Sequence, residues 1–231
     1  TLSIASSDVS CNSECDGSAT VTISGGTAPY DVLWSNGDTT LTSDSLCAGT
    51  YTITVTDSLG CEAVSQVTIA EPNAISLSLS VASDPSCSGD CDGFISVIPS
   101  GGTIPYSYQW DDPLSQTTAT ADSLCAGTYT VIITDANGCM DTTSATLNDP
   151  PVLTSTISST PASCFGSCDG TATVTPSGGT PPFTYLWNDP QNQTTQTADS
   201  LCSGTYIVEV NDAGGCTVFD TINVQEPDTI L

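Results

Sequence analysis

No lysine, arginine or histidine occurs in the 231 residues, against 26 acidic ones. A chain without cations cannot displace counterions from phosphate, which excludes nucleic acid as a partner. An anionic membrane surface is excluded on the same ground. No run of 18 apolar residues is present, so membrane insertion of this stretch is not expected. Residues 1–20 carry neither the charged nor the apolar region of a secretory signal, so export signals are expected outside this stretch. The side chains that most often perform general acid–base work at neutral pH, His and tuned Lys, are missing as well. The nearest approach to paired carboxylates, Asp111-Asp112, becomes Asn188-Asp189 and Ser35-Asn36 in equivalent stretches, and reads as an exposed turn. The chain is therefore read as not an enzyme.

What is present recurs. "DSLCAGTYTITVTD" at 44–57 returns as "DSLCAGTYTVIITD" at 122–135 and "DSLCSGTYIVEVND" at 199–212, spacings of 78 and 77 residues. Around this string each unit carries C-x3-C-D-G, then S-G-G-T-x-P-aromatic (24–30, 100–106, 177–183), a tryptophan (Trp34, Trp110, Trp187) and D-x-x-G-C. An acidic residue and a proline close each unit, at Glu71-Pro72, Asp149-Pro150 and Glu226-Pro227. A fixed period of this kind signals tandem repeats. The units are 1–72, 73–150 and 151–227, with 228–231 beginning a further one.

Twelve cysteines fall four to a unit at matching places. Without histidine, a mixed Cys/His zinc site is impossible, and the third and fourth cysteines lie too far apart for a second close knuckle. Disulfides are the better reading, and they place the protein outside the cytosol. A unit this small buries only a marginal core and needs covalent staples. Four cysteines allow three pairings. The nested one is favoured, because the second and third cysteines each open a strand at the same end of a sandwich. It gives Cys11–Cys61 with Cys15–Cys47, Cys87–Cys139 with Cys91–Cys125, and Cys164–Cys216 with Cys168–Cys202. Loops of roughly 30 and 50 residues would each contribute on the order of 4 kcal/mol.

Apolar and small polar residues alternate in "SATVTISGG", "YTITVTD" and "SLSLSVAS", as they do in half-buried strands, and no helical stripe is found. With turns at "SNGD", "DANG" and "DAGG", each unit reads as about seven short strands. The expected fold class is all-β, a tandem array of three immunoglobulin-like sandwiches with two disulfides each. Leu, Gly three residues on and Tyr two later, ahead of a strand, match a tyrosine corner. Tyr51, Tyr129 and Tyr206 are thus assigned to folding, and Trp34, Trp110 and Trp187 to the core.

In combination these motifs resemble the SprB-type repeats of Bacteroidota cell-surface adhesins, over nearly the whole chain. The resemblance implies a very long adhesin, exported by the type IX system and displayed on the outer membrane or secreted. In gliding species such filaments move along the cell and grip the substratum. The expected function is a structural and adhesive segment of such a filament, serving gliding motility or attachment. Its expected partners are neighbouring repeats and surface polysaccharide or substratum, with filament self-association open. The alternative is a glycan- or Ca²⁺-binding module acting through avidity.

No cofactor is required, with Ca²⁺ the one left open. Asp accounts for 21 of the acidic residues, and Ca²⁺ takes clustered hard oxygen ligands. The recurring candidates are Asp16, Asp92 and Asp169, and Asp57, Asp135 and Asp212; Asp also suits turns through its own hydrogen bonds. The triplet Asp-Ser/Thr-apolar or Thr resembles the Bacteroidota O-glycan acceptor and marks Thr39, Ser45, Ser58, Ser123, Thr142, Ser200, Thr221 and Thr229. Asn192 heads a single N-glycan sequon. The charge and the proline junctions predict a stiff, extended array, each unit adding roughly 30–40 Å.

Overall fold

The computed structural model describes residues 1–229, and no helix occurs among them. The first repeat contributes β1 (Leu2–Ser7), β2 (Gly17–Ile23), β3 (Tyr30–Trp34), β4 (Thr42–Leu46), β5 (Gly49–Asp57) and β6 (Glu62–Ile69). The second contributes β7 (Ser76–Ser83), β8 (Gly93–Ser100), β9 (Ser107–Trp110), β10 (Thr120–Leu124), β11 (Gly127–Thr134) and β12 (Met140–Leu147). The third contributes β13 (Thr154–Thr160), β14 (Gly170–Ser177), β15 (Thr184–Trp187), β16 (Thr197–Leu201), β17 (Gly204–Asn211) and β18 (Thr217–Val224). Residues 230 and 231, half of the segment expected to open a further repeat, lie outside the described residues.

Each repeat holds two three-stranded antiparallel sheets, β1-β2-β4 with β3-β5-β6 in the first, and the same order recurs in the others. This is the immunoglobulin-like division of strands, less one. Six strands stand where about seven were expected, because residues 35–41 between β3 and β4 form turn and loop rather than an edge strand. The chain clusters into two compact units. One is Thr1–Ser80 with Val97–Ala119 and Thr130–Ser144; the other is Val81–Ser96 with Thr120–Tyr129 and the described residues from Ala145 on.

Alternation along the strands selects the core. In β2, Gly17, Ala19 and Val21 face inward while Thr20 and Thr22 are exposed. They meet Val32, Trp34, Leu46, Ile53, Val55 and Ile69 in the first repeat. Ala172, Val174, Trp187, Ala198, Leu201, Val208, Val210 and Val224 form the matching core of the third. In the middle repeat Ile95, Val97, Trp110, Ala121, Leu124, Val131, Ile133 and Leu147 are buried. Each indole N–H donates to a loop carbonyl at 2.9 Å, from Trp34 to Thr40, Trp110 to Thr118 and Trp187 to Thr195, so the largest buried side chains carry no unpaired donor.

The repeated D-S-L-C string has a local cause. The register of β2 on β4 shifts between the pairs Gly17–Leu46 and Ala19–Ser43, and the extra residue is accommodated as a bulge. Ser45, Ser123 and Ser200 hold left-handed φ of 58°, 55° and 55° there. Opposite the bulge, a Cβ on Gly17 would lie 2.7 Å from Ile69 Cγ2 and 2.9 Å from the Leu46 carbonyl oxygen. The glycine of C-D-G is therefore set by close approach. Just past the bulge, the hydroxyls of Tyr51, Tyr129 and Tyr206 each donate to the carbonyl of Cys47, Cys125 or Cys202 at 3.1 Å. These tyrosines are half-buried.

Candidate functional site

The D-x-x-G-C stretch is the hairpin between β5 and β6, and between β11 and β12 and β17 and β18. Its aspartate is a hub. Asp135 accepts the N–H of Thr103 at 2.8 Å on one oxygen, and those of Asn137 and Cys139 at 2.9 Å on the other. Asp57 does the same with Thr27, Leu59 and Cys61, and Asp212 with Thr180 and Cys216. One carboxylate thus ties the S-G-G-T turn to the hairpin and holds the hairpin cysteine in place. Burial pushes the Asp135 and Asp212 carboxyls up, but the converging N–H groups more than offset it, so both lie below the ordinary carboxylate value. Asp57 is lowered by the Cys61 and Thr27 N–H groups.

A second set organises the C-x3-C loop at the other end of each sandwich. Asp16, Asp92 and Asp169 accept the N–H of Ser10, Ser86 and Ser163 at 2.8–2.9 Å, and all three are lowered by those serines. The closing acids Glu71, Asp149 and Glu226 accept from Ser13, Gly89 and Gly166 in the same loops. These Asp candidates for Ca²⁺ thus direct their oxygens at backbone donors. Among the described residues no group of three or more Cys, Asp or Glu is arranged to hold a metal ion.

The cysteines divide by position. Cys15–Cys47, Cys91–Cys125 and Cys168–Cys202 are bonded within repeats. The outer cysteines differ from the nested expectation. Cys11 bonds Cys139 of the second repeat, Cys87 bonds Cys216 of the third, and Cys61 and Cys164 are free and exposed. The pairs Cys11–Cys61, Cys87–Cys139 and Cys164–Cys216 are therefore absent, and there are not two disulfides inside each repeat. The reason is distance. Gly17, next to the C-x3-C loop, pairs with Leu46 and touches Ile69, which places that loop at the start of β5 and the end of β6. The Cys61 hairpin is at the far end of β5, about 27 Å away at ~3.4 Å per residue, whereas Cys11 and Cys139 have Cα atoms 5.7 Å apart.

Around Cys11–Cys139 the junction is built from groups that motif reading passed over. Asn137 Nδ2 donates to the Ser10 carbonyl at 2.9 Å, and Asn12 Nδ2 to the Pro72 carbonyl at 3.1 Å. The link from Pro72 to Ile75 runs over the S-G-G-T turn, where the Gly102 N–H donates to the Asn73 carbonyl at 2.7 Å. A Cβ on Gly101 would lie 2.0 Å from the Ala74 carbonyl oxygen. The second junction repeats this. The Gly179 N–H donates to the Pro151 carbonyl at 2.9 Å, and a Cβ on Gly178 would lie 2.0 Å from the Val152 oxygen. The double glycine was legible only as a turn; its second task is to let the incoming chain pass. A cleft beside the first junction, about 360 Å³, is lined by Asn12, Glu14, Pro72, Met140 and Asp141.

Asp112 is not in an exposed turn as expected. It is buried at 3% exposure and accepts the N–H of Leu114 and Gln116 and the Gln116 side-chain amide, at 2.9–3.1 Å. Asp189 repeats the arrangement with Gln191 and Gln193. Neighbouring Asp111 is exposed, and its carboxylate caps the Thr130 N–H at 2.8 Å. The two carboxylates therefore serve different backbone segments. Thr39, Ser45, Ser58, Ser123, Thr142, Ser200, Thr221 and Thr229 are all exposed, as is Asn192 in a left-handed turn.

The family model described as the SprB repeat matches the chain three times, over residues 3–39, 79–115 and 156–192. No curated protein matches. Among solved structures, the three N-terminal domains of the Highly Immunogenic Outer Capsid protein of bacteriophage RB49 are 13% identical, covering 99% of each chain with a TM-score of 0.47. The N-terminal eight immunoglobulin domains of Down Syndrome Cell Adhesion Molecule are 13% identical over 86% of this chain and 33% of that one, at a TM-score of 0.40. A mutated three-immunoglobulin-domain stretch of titin is 14% identical over 99% of this chain and 98% of that one, at 0.36.

Proposed function

We propose that this chain, a tandem array of SprB repeats, is a load-sharing structural segment of an extracellular adhesin, presented at a bacterial surface. The observation that carries this reading is where the recurring residues go. Tryptophans fill cores, tyrosines and aspartates hold turns, and glycines and outer cysteines join one repeat to the next. Among the described residues, the recurring tryptophans, tyrosines and turn aspartates named above all have partners within the fold. Disulfides inside and between repeats suit an oxidising compartment. Attachment to polysaccharide or substratum, gliding and O-glycosylation of the exposed Asp-Ser/Thr sites belong to this reading as its further consequences.

Single-molecule stretching between the chain ends tests it. In the oxidised protein the shortest covalent path between the ends crosses Cys11–Cys139, Cys91–Cys125 and Cys87–Cys216, and tension bypasses most of the chain. Roughly 45 residues then extend, giving a contour of about 160 Å against about 800 Å after reduction, at ~3.5 Å per residue. Equal contours before and after reduction would remove the load-sharing role. Saturable binding of Ca²⁺ or a glycan at three equivalent sites would assign the chain instead to a binding module.

A further inference from the structure

The positions at which the repeats differ converge on one place in the first of them. Val32 of β3 pairs with Val55, where Tyr108 pairs with Ile133 and Tyr185 with Val210. Both tyrosines are half-buried, and Tyr185 packs against the core of the third repeat. The first repeat therefore lacks a ring at a position where the other two carry one. Its stretch between β3 and β4 is also shorter, seven residues (35–41) against nine (111–119 and 188–196).

A hollow of about 610 Å³ opens here between β2 and β3. Val21, Ile23, Val32 and the ring of Tyr30 line it, and Leu41, 51% exposed, stands at its mouth. The Leu41 carbonyl accepts the Val21 N–H, as those of Ala119 and Gln196 accept from Val97 and Val174. Leu41 thus stands where the other repeats have a small or a polar residue. In the third repeat that residue is engaged, since the Gln196 side-chain amide donates to the Val174 carbonyl at 2.9 Å.

We propose that this hollow is a binding site for a tyrosine side chain of another protein, the ring entering where the other repeats keep their own. The proposal goes beyond the load-sharing role and does not depend on it. Shape, charge and size select this occupant. The walls are alike in the three repeats, with Val97 and Val174 matching Val21, and Tyr106 and Phe183 matching Tyr30. Such walls already lie beside a phenol ring in two repeats. No carboxylate lines the hollow, although the chain carries 26 acidic residues, so the site suits a neutral group. The exposed hydroxyls of Thr22 and Thr39 flank it and suit a phenol O–H. An enclosed apolar cavity of about 150 Å³ holds a benzene ring. The hollow therefore has room for a ring together with the peptide segment that carries it.

The test titrates the full chain, isotope-labelled at its Ile, Leu and Val methyl groups, with a neutral capped pentapeptide, Gly-Ser-Tyr-Ser-Gly. The same peptide with Ser in place of Tyr is run beside it, and spectra are read by nuclear magnetic resonance. The tyrosine peptide is expected to shift the methyls of Val21, Ile23, Val32 and Leu41 saturably. Its dissociation constant should be on the order of 1 mM, because a single anchor must offset the cost of association. The serine peptide should leave those methyls unmoved. Val32→Tyr fills the hollow with the ring the other repeats carry, and should weaken binding at least about tenfold. Leu41→Ser alters only the exposed mouth and should weaken binding severalfold, which keeps the test decisive if Val32→Tyr disturbs the fold. Absence of shifts at the four methyls, equal shifts from the serine peptide, or undiminished binding in either folded variant overturns the proposal. A stronger response to methyl glucoside than to the tyrosine peptide also overturns it, and makes the hollow a sugar site.

Discussion

Gly178 and Gly25 occupy the same place in the S-G-G-T turn of the third and first repeats, and replacing each by alanine isolates what the repeat junction demands. Both hold left-handed φ, 71° and 84°, so alanine meets the same backbone penalty at each, about 1 kcal/mol. Their surroundings differ. A Cβ at Gly178 would sit 2.0 Å from the Val152 carbonyl oxygen and 3.0 Å from its carbon, whereas nothing lies within 4 Å of a Cβ at Gly25. The Val152 backbone must move by more than 1 Å or the turn must open, and overpacking of this severity costs about 2 kcal/mol more. With ~1 kcal/mol shifting the melting point of a domain this size by about 5 °C, Gly25→Ala should lower melting of its repeat by about 5 °C. Gly178→Ala should lower that of the third by about 15 °C. Calorimetry supplies the melting points, and hydrogen exchange on peptides from β5 and β17 assigns each transition to its repeat. Equal shifts for the two variants would refute the claim that the incoming link passes over the double glycine.

Removing a buried hub should be as costly. Asp189→Ala leaves the Gln191 and Gln193 N–H groups without their acceptor and should destabilise the third repeat by about 3 kcal/mol in urea titration, with Asp189→Asn losing roughly half of that. Tyr206→Phe removes only the bond to the Cys202 carbonyl and should cost about 1 kcal/mol. Acid should act through Asp16, Asp38, Asp57, Asp92, Asp112, Asp135, Asp169, Asp189 and Asp212, all lowered in the fold from 3.8. A lowered folded value means the unfolded chain takes up protons first. The contribution is therefore whole above about pH 5, and is lost as pH falls through 3.8 and below. The urea midpoint should hold from pH 7 to 5 and drop below about pH 4; a drop already under way at pH 6 would contradict it.

Much of the fold was legible because its causes are local. Alternation along "YTITVTD" and the turn residues of D-x-x-G-C depend only on near neighbours in the chain, so strand positions and hairpins follow from the string itself. Recurrence did the rest, marking Trp34, Trp110 and Trp187 as one position three times over. Asp112 escaped because burial depends on where the Leu114–Gln116 turn folds back, and two adjacent aspartates look alike in a string. The number of strands differed for a similar reason: the stretch between β3 and β4 has turn chemistry and strand-forming residues in nearly equal measure.

The sequence by itself determined the period, the all-β character, the turn aspartates and the supply of four cysteines per repeat. The tertiary structure alone decided which cysteines meet. Cys11 and Cys61 share a repeat but sit at opposite ends of it, and the length of β5 keeps them apart. Cys139 is 128 residues away along the chain, yet the link after Pro72 delivers it to Cys11. Disulfide pairing depends on position in space, and that position was set by the direction in which one repeat hands the chain to the next.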